Sequence, residues 1–124
     1  MKIDTEIRDG KTLLHCHEER LDAHNSTELK DTLLRQLEAG PPMLILNLAE
    51  VRFIDSSGLG ALLSGFKNAN LRQGKLVLVG LQPRVQAMFE LTRLHRVFRT
   101  YPTLAAALLS AQEEEPSHDE KSGN

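Results

Sequence analysis

The stretch with the most chemical potential is Asp55-Ser56-Ser57-Gly58-Leu59-Gly60, a carboxylate and two hydroxyls followed by two closely spaced glycines. An apolar run, Met43-Leu44-Ile45-Leu46-Asn47-Leu48, precedes it and has the length of a buried strand. Leu59, Leu62, Leu63 and Phe66 follow at the i, i+3, i+4, i+7 spacing of one helical face. The serines therefore fall where a strand hands over to the first turn of a helix. The leading N–H groups of a helix lack internal partners, and the helix dipole presents its positive end there. Negative charge is favoured at such a place, and a serine hydroxyl gains it by phosphorylation. Asp55 reads either as a negative element of a binding loop or as the N-cap, the commoner role for Asp. Ser56 suits the cap as well, and the sequence leaves these alternatives open.

Other chemistry is poorly served. The turn is not Gly-x-Ser-x-Gly, and no pattern places a His/Asp pair beside it for nucleophilic catalysis. A dinucleotide fingerprint would need glycine where Leu63 stands, and no Gly-Lys-Ser/Thr follows for a phosphate loop. His15 and His17 share one strand face while Cys16 points to the other, and no further ligand at metal spacing joins them. His95, among Arg93, Arg96 and Arg99, reads as loop surface. The expectation is a non-enzyme with no metal and no cofactor.

A chain of 124 residues favours one domain, and 26% charged with 40% hydrophobic residues is ordinary for a globular protein. No apolar run approaches the ~20 residues that span a bilayer. Met1 to Glu6 alternates in polarity and lacks the apolar segment of a secretion signal. With Cys16 as the only cysteine, no internal disulfide forms, and the whole fits a cytoplasmic location. The net charge of −2 is unevenly spread: residues 66–100 carry seven Lys/Arg against Glu90 alone, whereas the tail from Glu113 carries five acids and one lysine. No aromatic residues interleave with the basic positions, so the segment reads as a solvated face or a docking surface for an acidic protein rather than a nucleic-acid site.

The elements that position the serine turn follow from local signals. Asp9-Gly10 between alternating segments predicts a hairpin of strands Lys2 to Arg8 and Lys11 to Glu18. Leu14 and Cys16 share one face of the second strand, and Leu13, His15 and His17 the other. Asn25 and Glu28 have capping-box spacing, Leu29, Leu33 and Leu37 form a buried stripe, and Gly40-Pro41-Pro42 ends that helix. The strand to Leu48, the serine turn and a central helix to about Arg72 come next, closed by Gln73-Gly74. Lys75 to Gly80 is a strand, Pro83 opens a helix with Val85, Met88 and Phe89 inward, and Val97-Phe98 is placed as an edge strand. Thr103 caps a last helix through Leu104, Leu108 and Ala111, and the tail beyond Gln112 has the composition of a disordered segment. A hairpin followed by alternating helices and strands predicts an α/β domain with a mixed sheet.

The central helix carries an unusual second face. Ser57, Ala61, Ser64 and Asn68 fall together, with Gly65 beside them, and all are small or short. Interior glycine costs ~1 kcal/mol relative to alanine, so Gly58, Gly60 and Gly65 suggest a surface kept low for close approach by a partner. Packing against the sheet is the alternative reading.

Leu21-Asp22-Ala23, Leu46-Asn47-Leu48, the run Val51 to Gly60, and Gly74-Lys75-Leu76-Val77-Leu78 together resemble the STAS domain, shared by sulphate transporters and anti-sigma factor antagonists. The likeness extends from the first strand to Leu109, giving a STAS domain at 1–112 and an acidic tail at 113–124. It implies a mixed sheet of four to five strands with about four helices packed against it. It also implies a regulated serine at the start of the second helix, which by motif position is Ser57. In single-domain bacterial members the unphosphorylated form binds an anti-sigma factor with GHKL-type serine kinase activity and so frees a sigma factor. Phosphorylation ends binding, and a PP2C-type phosphatase restores it. The partner-binding set expected here is Asp22, Asp55, Ser56, Ser57, Gly58 and Gly60, with Ala61, Ser64 and Asn68 from the small face. Glu19-Arg20 stands where the family often has glycine before Leu-Asp-Ala, which bears on partner choice. Other modules of this type serve as scaffolds of signalling complexes or accessory subunits of membrane transporters, the alternative function. The chain is expected to be a monomer or weak dimer.

Overall fold

Asp9 and Gly10 adopt φ values of 53° and 77°, the left-handed pair that a two-residue hairpin turn requires. The turn sets β1 (Ile3–Arg8) antiparallel to β2 (Lys11–Cys16), with Arg8 opposite Lys11 and Ile3 opposite Cys16. This computed structural model of the chain describes residues 1–110. From β2 onward each neighbour is parallel: β2 pairs with β4 (Met43–Asn47), β4 with β6 (Lys75–Val79), and β6 with the short β7 (Thr100–Tyr101). The five-stranded sheet therefore has the order β1-β2-β4-β6-β7. Helices α1 (Ser26–Ala39), α2 (Ser56–Leu71) and α3 (Pro83–Leu91) make the connections, and a fourth helix, α4, spans residues 104–110. The mixed sheet and four helices are the architecture expected from the sequence.

Strand parity divides the core in two. Leu14, Leu44, Leu46, Leu76 and Leu78 point to one face, where Leu29, Leu33 and Leu37 of α1 and Leu59 and Leu62 of α2 cover them. On the opposite face Leu13, Ile45 and Val79 pack with Leu104, Ala107 and Leu108 of α4. The Thr103 hydroxyl caps α4 by accepting the Ala106 N–H at 3.1 Å. The expected end of this helix at Ala111 and the acidic tail at 113–124 lie outside the described residues.

Two local expectations are corrected. Asn25 and Glu28 do not form a capping box, because other partners hold both side chains. Asn25 Oδ1 accepts the Asp22 N–H at 3.0 Å and its Nδ2 donates to the Arg20 carbonyl, while Glu28 pairs with the N-terminal ammonium at 3.2 Å. Nor is Val97-Phe98 the edge strand. Phe98 follows a short 3₁₀ turn (Leu94–Arg96) and is driven into the core, its ring 5.2 Å from Phe66 and 5.6 Å from Phe89, so pairing with β6 begins two residues later.

The sequence pattern also gave no sign of a second ladder, in which β3 (Arg20–Leu21) runs parallel to β5 (Phe53–Ile54). Two residues are too few for a period of two to register. This ladder places the Asp22 turn beside the serine turn.

Candidate functional site

The start of α2 is fixed from both sides. The Asp55 N–H donates to the Leu21 carbonyl at 3.1 Å, which ties it to the end of β3. Its carboxylate Oδ1 accepts the N–H groups of Ser57 at 2.9 Å and Gly58 at 3.1 Å, and its carbonyl accepts Leu59 N–H at 2.9 Å. Asp55 is thus the N-cap, which resolves the choice among it and the serines. The sequence picture of an open anion site needs correction as well: a capping carboxylate already holds two of the leading N–H groups. A phosphate on Ser57 would meet the charge of Asp55 together with the helix dipole.

Ser56 and Gly60 are exposed and Ser57 is half-buried. Gly58, expected on the docking surface, is instead buried: a Cβ there would lie 2.6 Å from the Leu21 carbonyl oxygen and 2.8 Å from Ile54 Cγ1. Ala61 is 5% exposed, and a Cβ on Gly65 would fall 2.7 Å from Leu33 Cδ1. For Gly58, Ala61 and Gly65 small size therefore serves helix packing against α1, β3 and the sheet. Gly60 differs, since nothing lies within 4 Å of a Cβ built there. Ser64 and Asn68 line a half-buried seam on the Ser57 side of the helix, with Asn68 Nδ2 donating to the Ser64 carbonyl at 2.9 Å. The outward face carries Ser56, Gly60, Lys67, Asn70 and Leu71, of which only Lys67 is charged.

Asp22 lies alongside, because the β3–β5 ladder delivers its turn to the same end of the fold. Its Oδ1 accepts the His24 N–H at 3.0 Å and its Oδ2 accepts Arg20 Nε at 3.2 Å. The His24 N–H first, and the Arg20 guanidinium after it, hold this carboxyl below the ordinary carboxylate range. The Arg20 guanidinium also stacks 4.3 Å from the centre of the Phe53 ring. Arg20 and Phe53 are neighbours of the site that sequence reasoning missed. Their only signal was Arg20 standing at a position where the resemblance leads one to expect glycine.

The paired histidines share one strand face as the parity of β2 required, and His17 is held by two carboxylates. Its Nδ1 lies 2.8 Å from Glu50 and its Nε2 2.9 Å from Asp4, so Glu50 and then Asp4 raise its pKa. Cys16 faces the core, and burial pushes its thiol up to about 11. Among the described residues no cluster of His, Cys, Asp and Glu could hold a metal ion. No helix among them is long and apolar enough to cross a membrane.

Comparison with known proteins agrees with this architecture. A model of the STAS domain family matches residues 2–107, and the chain belongs to that family. A Listeria monocytogenes protein named anti-sigma-B factor antagonist is 39% identical over 75 residues, 60% of this chain and 65% of that protein, so the match spans just under two thirds of the relative's length. BtrV of Bordetella bronchiseptica, also named for an anti-sigma factor antagonist role, is 31% identical over 98 residues, 79% of this chain and 84% of its own length. An anti-sigma factor antagonist from Mycobacterium paratuberculosis superimposes with a TM-score of 0.79 at 25% identity, covering 90% of this chain and 93% of that structure. All three are named as antagonists of anti-sigma factors.

Proposed function

We propose that this chain is an anti-sigma factor antagonist and that Ser57 is its switch. In this reading the unphosphorylated protein binds an anti-sigma factor with GHKL-type serine kinase activity, using the surface around the start of α2, and a sigma factor is released. Phosphorylation of Ser57 by that kinase ends the complex, and a PP2C-type phosphatase restores it. One observation carries the reading: the Ser57 position is half-buried between exposed Ser56 and Gly60, on a helix end whose first two turns carry no cationic side chain and turn their leucines, Leu59 and Leu62, into the core. The names of the relatives support the same role.

The physical mechanism is exclusion from an interface. A phosphate adds roughly −1.5 to −2 charges beside the Asp55 carboxylate. A hundredfold loss of affinity needs only about 2.7 kcal/mol. Burying an extra dianion next to an existing carboxylate without a matching cation exceeds that, so no rearrangement of the domain is needed. The contact surface then consists of Asp22, Asp55, Ser56, Ser57 and Gly60, flanked by Ser64 and Asn68. Gly58 and Ala61 contribute by keeping the helix in place.

The test mixes the purified protein with ATP and serine kinases encoded beside its gene, and follows mass. The reading expects one phosphate, located on Ser57, and no modification of Ser57→Ala. Kinase binding without phosphate transfer, or capture of a transporter subunit instead, would move the chain to the scaffold or accessory class.

A further inference from the structure

The β3–β5 ladder also builds a fixed cation beside the serine turn. Its register sets Arg20 opposite Phe53, while the next pair, Leu21 and Ile54, turns into the core. Strand parity therefore sends Arg20 and Phe53 to the outer side together. The backbone beneath them is held from two directions. The Glu19 carbonyl accepts the N–H groups of Arg52 at 2.7 Å and Phe53 at 3.1 Å. Asn25 clamps the following residues, donating to the Arg20 carbonyl at 2.8 Å and accepting the Asp22 N–H at 3.0 Å. A surface arginine ordinarily samples many rotamers. Here the guanidinium lies 4.3 Å from the centre of the Phe53 ring, and its Nε donates to Asp22 Oδ2 at 3.2 Å. The side chain is nonetheless 60% exposed, so its order does not come from burial.

The charge this corner offers a partner is positive. The Asp22 side chain is 13% exposed, and both of its oxygens are engaged, Oδ1 by the His24 N–H and Oδ2 by Arg20. Its carboxylate thus serves to orient the guanidinium. Among the described residues the guanidinium has no acceptor other than Asp22, which leaves the edge formed by its two terminal nitrogens to solvent. That edge presents parallel N–H donors at the spacing of the two oxygens of a carboxylate. Lysine would supply neither the flat stacking nor the fork. Ordering the side chain before contact removes an entropy cost that binding otherwise carries. Arginine and aromatic residues are also the types that dominate interface hot spots. The cation stands at the Ser57 end of the fold, because Leu21, the next residue, accepts the Asp55 N–H at the helix cap.

We propose, resting on the functional reading above, that Arg20 determines partner specificity: its guanidinium, braced by Phe53 and Asp22, takes an aspartate or glutamate side chain of the anti-sigma factor in a two-point ion pair. Phe53 and Asp22 are then positioning residues. The experiment titrates the kinase-type anti-sigma factor encoded beside the gene with the full-length chain and its variants, each melted to verify folding. Arg20→Gln should bind about tenfold more weakly, with a shallower dependence of affinity on salt. Arg20→Lys should recover little of that loss. Phe53→Leu should weaken binding on its own but add little to Arg20→Gln, since it acts through that side chain. Arg20→Glu should lose binding and regain it when one acidic residue of the partner is changed to lysine, a rescue that a purely structural arginine would not give. Wild-type affinity for Arg20→Gln, while Ser57→Asp fails to bind, would overturn the contact and leave the proposed function standing. Equal losses from Arg20→Gln and Arg20→Glu, with no rescue by any acid-to-lysine change, would overturn it too, by reducing Arg20 to a brace of the ladder. A wild-type chain that binds no such kinase would bring down both the contact and the proposed function.

Discussion

Substituting alanine at Gly60 and at Gly58, two positions apart on one helix, should change stability in opposite directions. At Gly60 a new Cβ meets no atom within 4 Å, so the methyl group adds no strain. Alanine then gains the helix propensity that glycine lacks, about 0.5–1 kcal/mol. For a domain of this size that raises the melting temperature by a few degrees, on the scale of about 4 °C per kcal/mol. At Gly58 the same methyl would stand 2.6 Å from a backbone oxygen of Leu21 and 2.8 Å from Ile54. Leu21 is fixed by its pairing with Ile54 and by the Asp55 N–H, so the backbone cannot retreat cheaply. Contacts this short with fixed backbone belong to the upper part of the overpacking range, about 2–3 kcal/mol, which the same propensity gain of about 0.5–1 kcal/mol offsets only in part, leaving Gly58→Ala about 1–2 kcal/mol less stable. Urea unfolding of both variants beside the wild type reads the two values, with m checked for constancy. The reasoning fails if Gly60→Ala is destabilised, or if Gly58→Ala is as stable as wild type. A stabilised Gly60→Ala that binds its partner less well would show that this glycine is kept for the interface.

Asp55→Ala should lower stability by about 1–2 kcal/mol, since two leading N–H groups lose their acceptor, while Asp55→Asn should retain most of the cap. Equal chemical denaturation midpoints for Asp55→Ala and wild type would contradict that assignment. The raised pKa of His17 in the folded state means that its contacts with Glu50 and Asp4 add stability fully below the unfolded value of 6.5 and lose it as pH rises through the folded value. The stability difference between wild type and His17→Gln should accordingly shrink from mildly acidic to alkaline pH, and a difference independent of pH would count against the bridge. Asp22 runs the other way: with its pKa lowered, its stabilising effect is present above 3.8 and disappears as pH falls through the folded value. Asp22→Asn should therefore narrow its gap to wild type in acid, and an unchanged gap would speak against the His24 and Arg20 contacts.

The parts legible in the sequence were those written in strong local chemistry. The Asp9-Gly10 turn, the leucine stripe of α1, Pro83 at the start of α3 and the Thr103 cap each follow from one or two residues acting on neighbouring backbone. What escaped was decided by tertiary partners. Asn25 had two candidate uses, and the turn at Asp22 claimed its side chain; Phe98 looked extended, but the gap between Phe66 and Phe89 drew it inward. The small face of α2 mixed two reasons for smallness in one pattern. Gly58, Ala61 and Gly65 yield to α1, β3 and the sheet, whereas Gly60 yields to nothing in the domain. A helical wheel places these residues on adjacent faces but carries no information about which face meets a neighbour. The serine turn itself was readable because strand, cap and helix signals converge there within a few residues.

The most direct measurement is calorimetric titration of an anti-sigma factor of the kinase type with the unmodified protein and with protein carrying phosphate on Ser57 alone, alongside thermal melts of both. Exclusion at the interface predicts at least a hundredfold weaker binding, about 2.7 kcal/mol, with the folded domain intact. Equal affinity for the two forms, or a phosphorylated protein that has lost its melting transition, would contradict it.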